Sequence, residues 1–382
     1  MKNDAAMVKT LKVLIWMNMP SHHQSAFFQA LREQGVDLII CYYGKVSEER
    51  RALGWRSDSE AEESNSFYVP ETTSLEVVPD WRKRIHVVPG YGSRFLRILV
   101  KRLSEARVIW FHWSERSRPG LRWYITFPIK RWYACMVNRY AAGGFCIGNL
   151  ALEDCVKWGI NRELLSILPY APTHSVVVNK ARWELLAEKV ADRSVFLYTG
   201  SLERRKGIDV LLKAFAHVLK RCRSTNWMLA LVGPDRSSGR YELLAKRLGI
   251  IDQVLFLGAT SWSDLATDYA VAKVFVLPTR HDGWGAVVSE AMGHGKAIIV
   301  TNQAGAAQHL VDPGVNGFVV KAGDVKSLAY ALEEYIVKVG LAERHGAAST
   351  LIYQRFSPST NAARFVAILR NRLSLKMGAS SL

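Results

Sequence analysis

Acidic residues are scarce in this chain: 34 Asp and Glu face 51 Lys and Arg, a formal net charge of +17 over 382 residues. The five cysteines (Cys41, Cys135, Cys146, Cys155, Cys222) are odd in number, scattered and never spaced C-x-x-C. That excludes a zinc ribbon or a disulfide framework and points to free thiols in a reducing cytoplasm. No window holds the 18 or more consecutive apolar residues of a membrane span. The nearest, "YACMVNRYAAGGFCIGNLAL", is broken by Arg139 and a Gly-Gly pair and reads as a helix end followed by a buried strand. The early "VLIWM" is too short for a secretory h-region. No G-x-G-x-x-G follows the first expected strand, which counts against a nicotinamide enzyme. No D-x-D occurs, so the usual metal–diphosphate signal is missing. "GHGK" is not a P-loop, because Glu290 stands where its first glycine is required. No repeat of fixed period appears.

What is present is alternation of strand-like and helix-like runs. With 49% hydrophobic residues the chain can bury a large core, and its length suggests two domains. "LKVLIWMN", "HHQSAFFQALREQG" and "VDLIICYYG" read as strand, helix and strand, the opening of a parallel sheet. The polar, acidic run Ser57–Thr73 reads as a loop excursion. "RVIWFHW", "GGFCIGN" and "LLSILPYAP" read as the later strands of this half. The pattern weakens from Pro172 to Arg193, where a linker is expected. It restarts with "SVFLYTG", "GIDVLLKAFAHVLKRC", "WMLALVGP" and "YELLAKRLGI", a second doubly wound unit. Ligands of such sheets sit beyond the carboxyl ends of the strands, where Ser201, Pro234, Gly258 and Asp282 all fall.

The positive charge is concentrated. Between Trp81 and Tyr140 fourteen basic residues face only Glu105 and Glu115, and twelve aromatic residues share that window. Within it "RFLRILVKRLSE" puts Arg94, Arg97, Lys101 and Arg102 on one side of a helix and Leu96, Leu99 and Leu103 on another. This basic amphipathic helix suits an anionic membrane surface, with Phe95, Leu96 and Leu99 expected to insert shallowly. Basic residues interleaved with aromatics also suit nucleic acid.

The stretch "HDGWGAVVSEAMGHGKAIIVTNQAG" (281–305) separates Asp282 from Glu290 by eight positions. Gly283 and Gly285 are poor helix residues, whereas "AVVSEAM" is a good short helix, so Asp282 belongs to a loop and Glu290 to the helix. A glycine-lined helix start offers backbone N–H groups and a positive dipole end to an anion such as phosphate.

These residues carry a resemblance. The second half resembles the donor domain of family 4 glycosyltransferases through "TGSLERRKGIDVLLKAF", through Asp282-Gly283-Trp284-Gly285 with Glu290, and through "GHGKAIIVTNQAG" and "DPGVNGFVV". Ser201 replaces the family's arginine, Asp282 replaces its first glutamate, and Gln308 stands where a glutamate is usual. The resemblance covers about Val195 to Phe356. It implies an α/β chain of the GT-B type, two facing Rossmann-like doubly wound parallel-sheet domains, and a retaining transferase that works without a metal or a cofactor. It implies that Lys206 neutralises the donor diphosphate, that Glu290 accepts from ribose hydroxyls, and that Asp282 contacts the donor sugar. The backbone of Gly283, Trp284 and Gly285 meets phosphate or sugar, and Arg204 or Arg205 is a candidate for the cation missing at Ser201. In the first half, His112 is the candidate near the donor sugar, Glu115 faces the acceptor, and His22 and His23 are weaker acceptor candidates that otherwise cap a helix.

The resulting expectation is an acceptor-binding, membrane-facing domain at 1–172, a nucleotide-sugar donor domain at 193–357, and a last helix at 358–376 returning to the first. A UDP- or GDP-linked sugar would pass to a lipid-linked or glycan acceptor in cell-surface polysaccharide synthesis. The setting would be cytoplasmic, peripheral on the inner membrane face, with no nucleic acid bound. A nucleic-acid-binding protein and a GT-B sugar-nucleotide epimerase are the competing readings.

Overall fold

The computed structural model describes residues 10–46, 48, 66–69, 75–172, 177–222 and 225–379, without the side chains of His22 and 376–379. Two wholly parallel sheets organise it. The first has seven strands in the order β3-β2-β1-β4-β5-β6-β7. These are β1 Lys12–Met17, β2 Asp37–Tyr42, β3 Ser66–Tyr68, β4 Ile85–Val88, β5 Trp110–Ser114, β6 Gly143–Cys146 and β7 Leu165–Ile167. The second has six, in the order β10-β9-β8-β11-β12-β13. These are β8 Ser194–Thr199, β9 Trp227–Val232, β10 Val254–Gly258, β11 Val274–Leu277, β12 Ala297–Thr301 and β13 Gly317–Val320. Strand order reverses between β1 and β4 and again between β8 and β11, so each sheet opens a crevice at the carboxyl ends of its two central strands.

Helices cover both faces, as continuous apolar strands require. α1 (His22–Glu33) follows β1, α2 (Arg94–Glu105) follows β4, α3 (Leu121–Ile125) and α4 (Phe127–Tyr140) follow β5, and α5 (Asn149–Trp158) follows β6. In the second unit α6 (Lys180–Val190) precedes β8, and α7 (Ile208–Arg221), α8 (Arg240–Leu248) and α9 (Leu265–Val271) follow in turn. α10 (Ala286–Gly293), α11 (Ala307–Leu310), α12 (Val325–Val337), α13 (Leu341–Gln354) and α14 (Pro358–Ala379) complete the chain.

Several elements depart from the sequence expectations. β4, a central strand, carries no strong sequence signal because it is only "IHVV". It is pinned to β1 by His86, whose Nδ1 accepts from Trp16 Nε1 at 3.1 Å and whose Nε2 meets the carbonyl of Trp81 at 2.8 Å. Burial pushes this imidazole down to about 4, so it is neutral. Within the expected loop excursion, Ser66–Tyr68 instead pairs in parallel with β2; residues 57–65 and 70–73 lie outside the described residues. Where a linker was expected at 172–193, α6 forms and Arg182 holds the buried Asp268 of α9 at 2.7 Å, joining this helix to the second unit.

The chain crosses between units twice, and the crossings touch. Asn361 Nδ2 donates to the carbonyl of Pro169 at 2.5 Å and Tyr353 OH to that of Pro172 at 3.0 Å. Beyond the second crossing α14 lies on the first unit: Phe365 stacks on Phe145 at 4.9 Å and meets Phe27 edge-on at 5.8 Å.

The basic window folds as charge over an aromatic core with one apolar outcrop. Trp81, Phe95, Trp110, Phe111, Trp113 and Tyr133 are buried. Phe95, Leu96 and Leu99 are buried too, which corrects their expected insertion into a membrane: they are the core side of α2. The exposed apolar side chains are instead Leu121 (76%), Tyr124 (69%), Ile125 (68%), Ile98 (47%), Trp132 (39%) and Ile129 (37%), with Arg94, Arg97 and Lys101 beside them. Among the described residues no helix is long and apolar enough to cross a membrane.

Candidate active site

The two crevices face each other across one cleft of about 730 Å³. On the second unit, the turn after β8 and the loop after β11 meet where strand order reverses. Gly207 permits this contact: with φ +75 it starts α7, and a Cβ there would stand 2.1 Å from the carbonyl oxygen of Pro278. The close approach brings Lys206 Nζ to 2.5 Å from Asp282 Oδ2 and Arg205 Nη1 to 3.7 Å from the same oxygen. Arg205 Nη1 also donates to the carbonyl of His281 at 3.1 Å. Of the two arginines that might stand in for the residue missing at Ser201, Arg205 is therefore the one beside Lys206. Arg204 lines a separate surface pocket.

Glu203 explains how Ser201 is accommodated. Its Oε1 accepts from Ser201 Oγ at 3.1 Å and from Arg205 Nη2 at 2.8 Å. Burial acts to raise this carboxyl, but Arg205 and Ser201 outweigh it and hold it below the usual carboxylate range. Nothing in "ERRK" singles out this glutamate in sequence. The hydroxyl at 201 thus orients Glu203, which aims the arginine.

Glu115, just past β5, reaches across from the first unit. A Cβ on Gly283 would stand 2.1 Å from its Oε2, so the absence of a side chain at 283 lets the carboxyl pass. Glu115 stays open to the cleft while protein crowds it from its other sides. That crowding, with the charge of Asp282 behind it, pushes the carboxyl up to about 7 despite a hydrogen bond from Tyr170. Tyr170 in turn bonds to Gln24. Sequence reasoning missed Gln24 and Tyr170, which lie far apart in the chain and meet only through the fold.

Gly285, with φ +94, caps α10, and the first turn of that helix borders the cleft at Ala286 and Val287. Trp284 lines the cleft but is buried, packing on Gly148 and on His309, whose Nε2 accepts from the Asn149 N–H at 2.9 Å across the seam. Glu290 is 2% exposed. Its Oε1 stands 3.1 Å from His23 Nδ1 of the first unit, and its Oε2 accepts from Tyr269 OH at 3.3 Å. His23 also lines the cleft, beside the start of α1; the side chain of His22 lies outside the described residues.

His112 is a correction. Alternation along β5 turns Trp110, His112 and Ser114 to one face, beneath α4 and α5. The ring is fully buried, with Nδ1 3.0 Å from Tyr133 OH and Nε2 2.8 Å from Ser114 Oγ. Ser114, not His112, lines the cleft.

The assembled site has two cations converging on one carboxylate at the crevice of the second sheet, a helix start beside them, and a second carboxyl, raised above its usual range, opposite. Such a set can neutralise a diphosphate and orient hydroxyl groups on either side of it.

Known proteins resemble this chain in sequence and in fold. Residues 182–349 match the family described as glycosyl transferases group 1. An uncharacterized glycosyltransferase of Haemophilus influenzae is 30% identical over 249 residues, 65% of each chain. A lipopolysaccharide core biosynthesis mannosyltransferase, LpcC, of Rhizobium leguminosarum is 30% identical over 154 residues, 38% of this chain and 42% of that one. The chain therefore aligns with just under two thirds of the first relative and less than half of the second. The crystal structure of Anabaena Alr3699/HepE in complex with UDP and glucose superposes with a TM-score of 0.73 at 18% identity, over 94% of this chain and 100% of that one, a likeness of fold. The chain thus carries, at residues 182–349, a stretch similar to the glycosyl transferases group 1 family, set within a two-domain α/β fold of the GT-B type.

Proposed function

We propose that the protein is a retaining glycosyltransferase that moves a sugar from a UDP- or GDP-linked donor to a lipid-linked or glycan acceptor in cell-surface polysaccharide synthesis. The observation that carries this is the convergence of Lys206 and Arg205 on Asp282 at the β8/β11 crevice, with Glu115 facing them. In the reaction the bond between the anomeric carbon and the donor phosphate breaks while the acceptor oxygen bonds the same carbon on the same face. The acceptor proton passes to the departing phosphate oxygen. Lys206 and Arg205 take up the charge that develops on the diphosphate, the role otherwise filled by a metal. Asp282 exchanges its bond to Lys206 for donor-sugar hydroxyls, Glu290 receives the ribose hydroxyls, and the amides of Gly283, Trp284 and Gly285 meet phosphate or sugar. Glu115 and His23 hold the acceptor hydroxyl.

The names of similar proteins support the substrate classes: one is a lipopolysaccharide core enzyme, and another was crystallised with UDP and glucose. The basic surface of the first unit supports work at an anionic membrane face, where a lipid-linked acceptor resides. The test is incubation with a panel of UDP- and GDP-sugars, with and without a chelator, following nucleotide release and product configuration by NMR. Release of a nucleoside diphosphate that the chelator leaves unchanged, with retained configuration on transfer, is expected. Activity that requires manganese, or an inverted product, overturns the corresponding part of the proposal. Epimerised nucleotide sugar without transfer would favour the epimerase reading.

A further inference from the structure

A second pocket, of about 470 Å³, lies behind the donor loops between α7 and α8. Its size falls within the range of small-molecule sites. Arg204 and Lys213 line one side, Arg240 and Arg247 the other, all four exposed. Among the described residues none of the four forms a salt bridge with a carboxylate, although Lys213 acts electrostatically on Asp209. Asp209 also lines the pocket, but it is held bidentately by Arg280, at 2.7 Å and 2.8 Å. Like charges at a shared concavity repel one another wherever they stand within the screening length of about 8–10 Å, and an anion between them removes that repulsion. Three are guanidinium groups, whose planar forks match phosphate oxygens two at a time. The pocket is also wired to the site described above. Arg280, which holds Asp209, donates through Nη1 to the carbonyl of Arg204 at 2.8 Å and through its backbone N–H to that of Arg205 at 2.8 Å, two residues before Asp282.

The geometry points to a second anion site here, taking a free phosphorylated ligand with two or more negative charges, distinct from the donor cleft. Calling it second rests on the donor reading; the pocket's own binding does not. Calorimetric titration of the full chain with inorganic pyrophosphate tests it. Two binding events are expected in the wild type. Lys206→Ala should remove the one in the cleft. Arg240→Glu with Arg247→Glu should weaken the other at least 10-fold, and Lys213→Glu, on the facing helix, should weaken the same event independently. These side chains are exposed, so thermal unfolding of each variant should stay close to wild type. If the pocket variants bind pyrophosphate as the wild type does, the proposal is overturned. If Lys206→Ala keeps both events while the pocket variants lose one, the donor assignment fails and the pocket stands. Sedimentation with phosphatidylglycerol vesicles separates the sources of phosphate. Vesicle binding lost in the pocket variants, with both pyrophosphate events intact, would overturn a free ligand in favour of a lipid headgroup.

Discussion

Gly283→Ala isolates the meeting of the two domains at the site. The backbone at 283 lies outside the left-handed region, so alanine brings no conformational strain. The added methyl would stand 2.1 Å from Glu115 Oε2, 3.1 Å from its Cδ and 3.2 Å from its Cβ, where ordinary contact starts at 3.4 Å. The carboxyl must therefore retreat by about 1 Å, a displacement that costs on the order of 10²-fold in a reaction dependent on orientation. In free energy this is about 2.7 kcal/mol of transition-state stabilisation. The expected result is kcat/KM for nucleotide release to acceptor lower by roughly two orders of magnitude, with a melting temperature close to wild type, since the contact lies in an open cleft. Glu115→Ala should lose a comparable amount, and the double variant little more than either alone, because both changes remove the same contact. Wild-type kcat/KM in Gly283→Ala, or simple additivity in the pair, would refute the assignment.

Glu115→Gln should abolish a rate-controlling ionisation near pH 7, visible as the loss of one limb in the pH profile of kcat/KM. The same carboxyl has a stability signature. Its folded value lies above the usual one, so its contribution is fully present below about pH 4.5 and is lost as pH rises through about 7. The melting temperature of the wild type, measured against Glu115→Gln, should fall over that window. Lys206→Ala and Glu290→Ala should each weaken donor binding by about 2–5 kcal/mol in calorimetry while remaining folded. His112→Ala should cost about 1–3 kcal/mol of stability by stranding the hydroxyls of Tyr133 and Ser114, with donor affinity unchanged. Replacing Leu121, Tyr124 and Ile125 by glutamate should abolish sedimentation with anionic vesicles, whereas wild-type sedimentation of that variant would exclude the outcrop as the docking surface.

The second domain was legible because its signals are local: a strand, a turn and a helix start within one short segment set Lys206, and another such segment sets Asp282, Gly283, Gly285 and Glu290. What could not be read is the pairing between segments. That Arg205 rather than Arg204 attends Asp282 depends on a single 3₁₀ turn, Arg204–Lys206, which sends neighbouring side chains to opposite sides. The burial of Phe95, Leu96 and Leu99 was hidden because a basic amphipathic helix has the same pattern whether its apolar face meets lipid or its own sheet. The outcrop at Leu121, Tyr124 and Ile125 belongs to a helix of five residues, too short to show a period. His112 was expected just after a strand but sits in the middle of β5, whose parity decides which way its ring points.

The paired crossings have a mechanical consequence. One chain segment leaves the first unit and another returns to it alongside, the two bonded at Pro169 and Pro172, and a clamp of Phe27, Phe145 and Phe365 anchors the returning helix. A body joined to another at one flexible point can tumble, twist and translate; joined along a seam, it behaves like a page on a spine. A rotation about that seam would part Glu115 from Gly283 and His23 from Glu290 together. A substrate that keeps either pair apart props open both, and whatever closes one registers the other.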